Sequence, residues 1–152
     1  MVFGDAKIMQ REYPKQPIVG VAAIIVENGK MLLIKRGSEP AAGKWSVPGG
    51  VVELGETIEE ALIREVMEEC GLKIEILKLI DVVDNIIKDA DGRIKFHYVI
   101  LEFLARPLEG EIKASSDALE VKWVPIEKIG EYNITNTLHK LLKKHKRRLQ
   151  LL

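Results

Sequence analysis

The apolar run IVGVAAIIV, Ile18–Val26, is the feature that most constrains the fold of this chain. It is rich in β-branched residues and does not alternate with polar ones, which is typical of a strand buried on both faces. The segment Glu27–Lys30 follows, with Asn-Gly at its centre, the strongest short signal for a hairpin turn. Met31–Arg36 (MLLIKR) then returns as a second strand. The sequence therefore predicts a buried hairpin near the N-terminus.

The remaining segments predict further strands and two helices. Thr57 is a good N-cap, Glu60 completes a capping box, and Gly71 is placed to end a helix that runs to about Cys70. A helical wheel places its apolar stripe at Leu62, Ile63, Val66, Met67 and Cys70. We expect one α+β domain over residues 1–152. Its other parts are a tail or edge element (1–16), a short strand in WSVPGG that enters a turn at Gly49-Gly50, strands at Lys73–Val83 and Phe96–Ala105, a loop at Leu108–Ala118, a strand in LEVKWVPI and a C-terminal helix at 134–148.

Charge and cysteine content exclude several classes of function. The 152 residues carry 23 basic and 23 acidic side chains, so no net field draws the chain to nucleic acid or a membrane. The one cysteine, Cys70, allows no internal disulfide, which suits a reducing compartment. No apolar run has the length of a signal peptide core or a membrane span. We therefore expect a cytoplasmic protein without membrane contact.

The segment REVMEE, Arg64–Glu69, crowds like charges on the first predicted helix. Glu65, Glu68 and Glu69 stand at i, i+3 and i+4, on an arc roughly 100° wide beside the apolar stripe. One interpretation of such an arc is simply an acidic surface in contact with water. Acids that border a core instead favour a divalent cation, which converts their repulsion into ligation, and oxygen ligands suit Mg²⁺ or Mn²⁺.

The spacing around these acids resembles the box of the Nudix family, G-x5-E-x7-R-E-U-x-E-E-x-G-U, where U is a bulky aliphatic residue. From Gly50 the chain reads GVVELGETIEEALIREVMEECGL, and no constrained position departs from that pattern. The matched positions are Gly50, Glu56, Arg64, Glu65, Val66, Glu68, Glu69, Gly71 and Leu72. The box therefore spans residues 50–72, and the wider resemblance covers most of Ile18–Ile129.

The resemblance implies an α/β/α sandwich around a mixed sheet and hydrolysis of a nucleoside diphosphate linked to another group. It implies that Glu65, Glu68 and Glu69 bind Mg²⁺ or Mn²⁺, with a backbone carbonyl of Gly49 or Gly50 as a further ligand. Glu56 would support the site, and Arg64 would orient a glutamate. The general base varies in this family. The candidates here are Glu65 and the loop acids, with Asp117 and Glu120 ahead of Glu109 and Glu111.

The substrate is less constrained. Arg36 and Lys44 can reach phosphate, and Trp45, Phe96 and Tyr98 can stack on a base, although each can also be an ordinary surface or core residue. The segments YPKQP and KWSVPGGVVELGE look most like short prokaryotic proteins of the ADP-ribose pyrophosphatase or MutT-like kind. ADP-ribose or a related nucleotide sugar is thus the expected substrate. The alternatives are a nucleoside triphosphate, a dinucleoside polyphosphate, or a domain that only senses a ligand or binds a partner.

The sequence also bears on two kinds of macromolecular partner, a nucleic acid and a second copy of the chain. The basic helix end KKHKRR could suggest RNA contact, but it is better explained by the helix dipole and by solubility, and we expect no nucleic-acid partner. Many relatives form homodimers that share a site, so a homodimer is an open expectation.

Overall fold

The apolar run forms β1 (Ile18–Glu27), on which the sheet is assembled. The computed structural model describes residues 10–115 and 117–152. After the Asn28-Gly29 turn, where φ is positive at both residues (52° and 75°), β2 (Lys30–Arg36) returns antiparallel to β1. This confirms the predicted hairpin, because positive φ at both central residues is what a two-residue hairpin turn requires.

The other strands place β1 inside a mixed sheet. Five further strands complete it: β3 (Trp45–Ser46), β4 (Gly49–Val51), β5 (Lys73–Lys88), β6 (Ile94–Glu109) and β7 (Ala118–Pro125). β1 pairs in parallel with β6 on one side and antiparallel with the short β4 on the other, while β2 pairs with β3 and β7. Antiparallel pairing of β5 with β6 builds a long hairpin.

Helical layers cover both faces of this sheet. Helix α1 (Ile58–Cys70) packs Leu62 and Val66 onto one face, against odd-numbered positions of β1 such as Ala23. A 3₁₀ helix (Ile126–Glu131) and helix α2 (Asn136–Gln150) pack onto the other face, against even-numbered positions such as Ile24. β1 is apolar at nearly every position because successive side chains enter different cores. The sheet and the helices on its two faces together form an α/β/α sandwich.

Helix α1 has the predicted ends but a rotated buried face. Thr57 and Glu60 form the capping box, and Gly71 ends the helix at φ 69°. The predicted apolar stripe is wrong at two positions, because Ile63 and Met67 are 45% and 39% exposed. Buried instead are Ala61 and Glu69. The buried face of α1 is thus rotated toward the glutamates, and Glu69 is removed from water.

The long hairpin differs most from expectation. β5 and β6 run beyond the predicted ends at Val83 and Ala105, so the loop holding Asp91-Gly92 is short and the later loop begins near Gly110. Tyr13 lies against this hairpin: its N–H donates to Lys95 O (2.8 Å) and its hydroxyl donates to Asp89 (2.8 Å). Residues 1–9 of the predicted tail lie outside the described residues. Within the described chain, no helix is both long and apolar enough to span a bilayer.

Candidate active site

Helix α1 presents Glu65, Glu68 and Glu69 to the edge of the sheet where β4 begins. The three carboxylates differ in their environment. The side chain of Glu68 is 48% exposed, that of Glu65 only 16%, and Glu69 is buried. The arc that the sequence predicted as a cluster of acids therefore runs from water into the protein interior.

Glu69 is the most deeply placed acid of the cluster. Its carboxylate accepts a hydrogen bond from Gly49 N–H at 2.9 Å. Burial raises the pKa of Glu69 to about 8, and the negative charge of Glu65 adds to the rise, whereas the Gly49 hydrogen bond opposes it. Burial also raises the pKa of Glu65, against the opposing effect of its hydrogen bond with Arg64. A buried and a partly buried carboxylate of raised pKa, placed close together, indicate a functional site, and a bound cation would neutralise the charge of both.

Arg64 ties the acids of the box together. Its guanidinium holds Glu56 through two hydrogen bonds, Nε to Oε2 at 2.6 Å and Nη2 to Oε1 at 2.9 Å. Nη1 donates to Glu65 at 2.8 Å and to Glu68 at 3.3 Å, and Nη2 also donates to Val51 O at 3.1 Å. One planar cation thus joins the loop before α1, the helix and the end of β4, which is the geometry that arginine supplies and lysine does not.

We expect Glu56→Gln to lower the stability of the fold at neutral pH by about 1–2 kcal/mol. The hydrogen bonds from Arg64 hold the pKa of Glu56 at about 2, below its ordinary value of 4.5. Its ionised form therefore stabilises the fold above pH 4.5, and this contribution is lost as the pH falls toward 2. In urea unfolding, the difference in unfolding free energy between the wild type and the variant should shrink as the pH is lowered from about 5 to about 3.

The matched control is Glu53→Gln, which changes an exposed glutamate three residues away. It should leave unfolding unchanged across the same pH range. A deficit for Glu56→Gln that stays constant with pH would contradict the assigned role of the Arg64–Glu56 pair.

Gly49 and Gly50 do not form the predicted turn. Both lie in β4, paired with Ala22 and Val21 of β1, and neither has a positive φ. Both positions hold glycine because other groups of the protein lie too close to leave room for a side chain. A Cβ on Gly49 would overlap the backbone of Val21, and a Cβ on Gly50 would overlap the carboxylate of Glu65. The missing side chains let α1 press its acids directly onto the strand.

The residues fit a hard divalent cation, although not in the arrangement they adopt here. Within residues 10–115 and 117–152, no three acidic, histidine or cysteine side chains already converge on one point. The contacts of Arg64 account for this, since it engages both Glu65 and Glu68. The donor set is nevertheless all oxygen, two of its carboxylates are desolvated, and the Gly50 backbone lies against one of them. Carboxylate and backbone carbonyl oxygens are ligands that suit Mg²⁺ or Mn²⁺.

A cavity of about 420 Å³ lies beside the acids, on the face of the sheet that α1 does not cover. Gly49 and Gly50 line it at the acid end, so β4 separates the cavity from the glutamates. Among the predicted substrate residues, Arg36, Lys44 and Tyr98 line it. Burial lowers the pKa of Arg36, and the nearby charge of Glu69 opposes that shift. Two cations, Arg36 and Lys44, therefore line the cavity, and the charge of Arg36 reaches Glu69.

A sequence model of the NUDIX domain matches residues 14–148. The chain belongs to the Nudix family. An ADP-ribose pyrophosphatase of Methanocaldococcus jannaschii is 38% identical over 113 residues, which are 74% of this chain and 64% of that protein. A MutT-like protein of Streptomyces ambofaciens is 35% identical over 114 residues, 74% of this chain and 67% of that one. The match thus spans about two thirds of the length of these relatives.

Solved structures agree with the Nudix fold. The crystal structure of a MutT NUDIX hydrolase from Burkholderia pseudomallei is 35% identical and superposes with a TM-score of 0.75, over 85% of this chain and 98% of that one. The expected α+β sandwich with a central mixed sheet is confirmed.

Two aromatic candidates lie in cores of this Nudix domain rather than along the cavity. Trp45 is buried and meets Tyr132 edge to face, with ring centroids 5.4 Å apart. Phe96 is buried and stacks on Tyr98 at 6.2 Å. Of these three side chains, Tyr98 alone lines the cavity. Stacking of a base on Trp45 or Phe96 would require either side chain to leave its core.

The loop acids are spread apart. Glu109 pairs with Lys73 at 2.8 Å, which lowers the pKa of Glu109 and makes it a weaker base. Glu120 lies 3.7 Å from Lys35 on the exposed side of β7. Asp117 is exposed, and its carbonyl accepts a hydrogen bond from Gly37 N–H at 2.7 Å; its charge reaches Glu69 and Arg36. Asp117 is therefore the loop candidate with a structural link to the Nudix acids, and its role as a base stays a prediction.

Several polar residues of the cavity were not singled out from the sequence, among them Arg11, Glu102 and Asn136. Glu102 carried a usable signal, because it is the one acid within the apolar segment HYVILEFLA. Arg11 lies in the N-terminal segment and Asn136 at the start of α2, so only the fold brings them near the sheet.

Proposed function

We propose that this protein is a metal-dependent pyrophosphohydrolase that cleaves the diphosphate of a nucleoside diphosphate linked to a further group, with ADP-ribose or a related nucleotide sugar as its substrate. The observation that carries this proposal is the cluster of Glu65, Glu68 and Glu69 at β4, beside a cavity with Arg36 and Lys44 in its wall. A diphosphate is anionic and poorly electrophilic, so it needs both the acids that hold cations and the basic side chains that bind its oxygens.

Each residue of the box has a distinct part in the proposed reaction. A bound Mg²⁺ or Mn²⁺ supplies charge neutralisation and lowers the pKa of water. Glu65, Glu68 and Glu69 hold the cation, with a carbonyl of Gly49 or Gly50 as an additional ligand. Arg64 and Glu56 fix the orientation of Glu65 through the hydrogen bonds described above. Arg36 and Lys44 bind phosphate oxygens and orient the diphosphate toward the acids.

Two acids are proposed as alternative general bases. Burial raises the pKa of Glu65, which makes it a stronger base than an exposed glutamate, and it lies at the cluster itself. Asp117 enters from the loop before β7 and stays in water. Loss of the acidic limb of the bell-shaped pH profile in Asp117→Asn would assign the base to the loop, and an acidic limb unchanged from the wild type would assign it to Glu65.

The substrate proposal rests on similarity to the ADP-ribose pyrophosphatase of M. jannaschii. The second candidate is hydrolysis of nucleoside triphosphates, favoured by the similarity to proteins named MutT-like. A domain that only senses a ligand is disfavoured, because all the acids of the Nudix box are retained. The basic end of α2 is partly engaged within the protein, since Lys144 pairs with Asp81 at 2.9 Å.

A substrate panel with Mg²⁺ tests the proposal. ADP-ribose, dNTPs and diadenosine polyphosphates are incubated separately with the full chain, and the products are identified by mass. Release of AMP and ribose 5-phosphate from ADP-ribose is the expected result. Monophosphate plus pyrophosphate from a dNTP, at a higher kcat/KM than for ADP-ribose, would replace it with the second candidate. No hydrolysis of any member of the panel would reject both.

A further inference from the structure

Glu102 is a buried acid that the proposed chemistry does not use. It lies in the middle of β6, with an exposed fraction of 3%, between the apolar residues Leu101 and Phe103. Its Oε1 is buried and has no hydrogen-bond partner among the described residues. A buried polar atom without a partner is costly and rare in native structures, so such an atom indicates a ligand or a functional role.

Within residues 10–115 and 117–152, no side chain or backbone group donates a hydrogen bond to Oε1 of Glu102. Asp81 faces it across the β5–β6 pair, but Asp81 is itself an acid and is bound to Lys144 at 2.9 Å and His145 at 3.2 Å. Burial raises the pKa of Glu102 to about 7, the charge of Asp81 adds to the rise, and the charge of Lys144 opposes it. The neighbouring cations thus serve Asp81 and leave Glu102 with unused acceptor capacity.

Glu102 lines the same cavity as Gly49, Arg36 and Lys44. The sheet register fixes how far it stands from the acid end, because Ala22 pairs with Gly49 on one side and with Glu102 on the other. Two strand spacings separate Gly49 from Glu102, which is about 10 Å. That separation is comparable to the reach from the phosphate of a nucleotide to the far edge of its base.

The cavity wall between the two ends suits a flat ring. Ala22, Val47 and Ile100 contribute apolar surface, and Tyr98 adds an aromatic ring. Polar side chains, among them Ser46, Thr135 and Asn136, line other parts of the cavity. Apolar surface combined with a few placed polar groups is typical of sites that bury a ring and orient it by its edge.

We propose that Glu102 selects the nucleobase of the substrate by accepting a hydrogen bond from its exocyclic amino group. This inference rests on the proposed function, which places the diphosphate at the acid end and so the base near Glu102. Adenine and guanine carry such an amino group, and hypoxanthine carries none. A base without the amino group leaves the buried acceptor unpaired, and sites of this type reject such analogues strongly.

The test compares the binding of AMP, GMP and IMP to the full chain by calorimetry. These ligands have no anhydride bond, so binding is measured apart from hydrolysis. The wild-type protein should bind AMP or GMP at least about tenfold more tightly than IMP. In Glu102→Leu this ratio should fall close to one, with little change in the affinity for IMP.

Two further variants make the result specific. Glu102→Gln keeps an acceptor oxygen in the same place, so it should still bind AMP or GMP more tightly than IMP. Whichever of AMP and GMP is bound more tightly identifies the preferred base. The control Glu75→Leu removes a surface glutamate of β5 that pairs with Arg106 and should leave every ratio unchanged. If Glu102→Leu does not fold, the wild-type ratios and Glu102→Gln still decide.

Equal binding of AMP, GMP and IMP by the wild type, or no binding of any of them, would overturn the inference. So would a ratio that Glu102→Leu leaves intact. Hydrolysis of ADP-ribose is assayed in parallel on the same proteins. Failure of hydrolysis with the binding ratios as expected rejects the proposed function alone, and hydrolysis without base selection rejects the role of Glu102 alone.

Discussion

Glu69→Gln is expected to lower Mg²⁺-dependent hydrolysis by about a thousandfold, since a cation supplies several kcal/mol of charge stabilisation and each ~1.4 kcal/mol is a factor of ten. The same change should stabilise the metal-free protein at pH 8. Glu69 is buried and its pKa is about 8, so ionising it opposes folding. Glutamine retains an acceptor for Gly49 N–H and carries no charge.

The sign of the pH dependence follows from the raised pKa. In the folded state the pKa of Glu69 is about 8 and its ordinary value is 4.5. The protonated carboxyl is thus favoured by the fold, and the associated stability is present below pH 4.5 and lost as the pH rises toward 8. Glu69→Gln should therefore match the wild type at about pH 4 and exceed it by about 1–3 kcal/mol at pH 8.

Thermal unfolding in EDTA at both pH values, with turnover at saturating Mg²⁺, measures the two effects. Glu68→Gln is the matched variant. Its side chain is 48% exposed, so it should lose hydrolysis in the same way but gain no stability. Undiminished turnover of either variant at saturating Mg²⁺ would refute the metal assignment. A loss of stability at pH 8 in Glu69→Gln would show that its carboxylate is not desolvated as described.

Features that depend on neighbouring residues in the chain could be predicted from the sequence. The capping box of Thr57 and Glu60, the end of α1 at Gly71 and the turn at Asn28-Gly29 all arise from contacts within a few residues, and each is confirmed. The acids of the box could be predicted for a related reason, because their spacing along one helix fixes their relative positions.

Features set by contacts across the sheet could not be predicted in this way. The rotation of α1 that buries Glu69 and exposes Met67 depends on what β1 and β4 present to it. The orphan oxygen of Glu102 depends on Asp81, which lies opposite it on another strand and holds the nearby cations. Neither relation leaves a periodic signal in the sequence.

The Gly49-Gly50 pair shows this difference most sharply. A glycine pair after a proline is consistent with a turn, and also with a strand pressed against another backbone. Pairing with β1 decides between them, and that pairing joins residues more than twenty positions apart. The two glycines also prove unequal, since Gly49 faces the backbone of β1 whereas Gly50 faces the Glu65 carboxylate.

Gly50→Ala and Gly49→Ala are therefore expected to fail in different ways. In Gly50→Ala the new Cβ meets the end of a flexible side chain, so Glu65 moves away while the strand remains. We expect a fall in hydrolysis of about 10²-fold or more, because small displacements of a positioned group are costly, and a loss of stability below about 1 kcal/mol. In Gly49→Ala the Cβ meets the backbone of Val21 and lies 2.9 Å from Ala22 Cα, so β4 must separate from β1.

Urea unfolding and kcat/KM, measured on both variants, separate the two outcomes. Gly49→Ala should lose about 2–4 kcal/mol of stability, in the range of severe overpacking. Gly29→Ala is the control for glycine replacement itself: nothing lies within 4 Å of its Cβ, and its cost arises from a φ of 75° alone. It should lower stability but leave kcat/KM unchanged. If Gly50→Ala retained full kcat/KM, the position of the Glu65 carboxylate against β4 would not matter, and the assignment of Glu65 to the metal would be refuted. If Gly49→Ala were as stable as the wild type, the close pairing of β4 with β1 would be wrong.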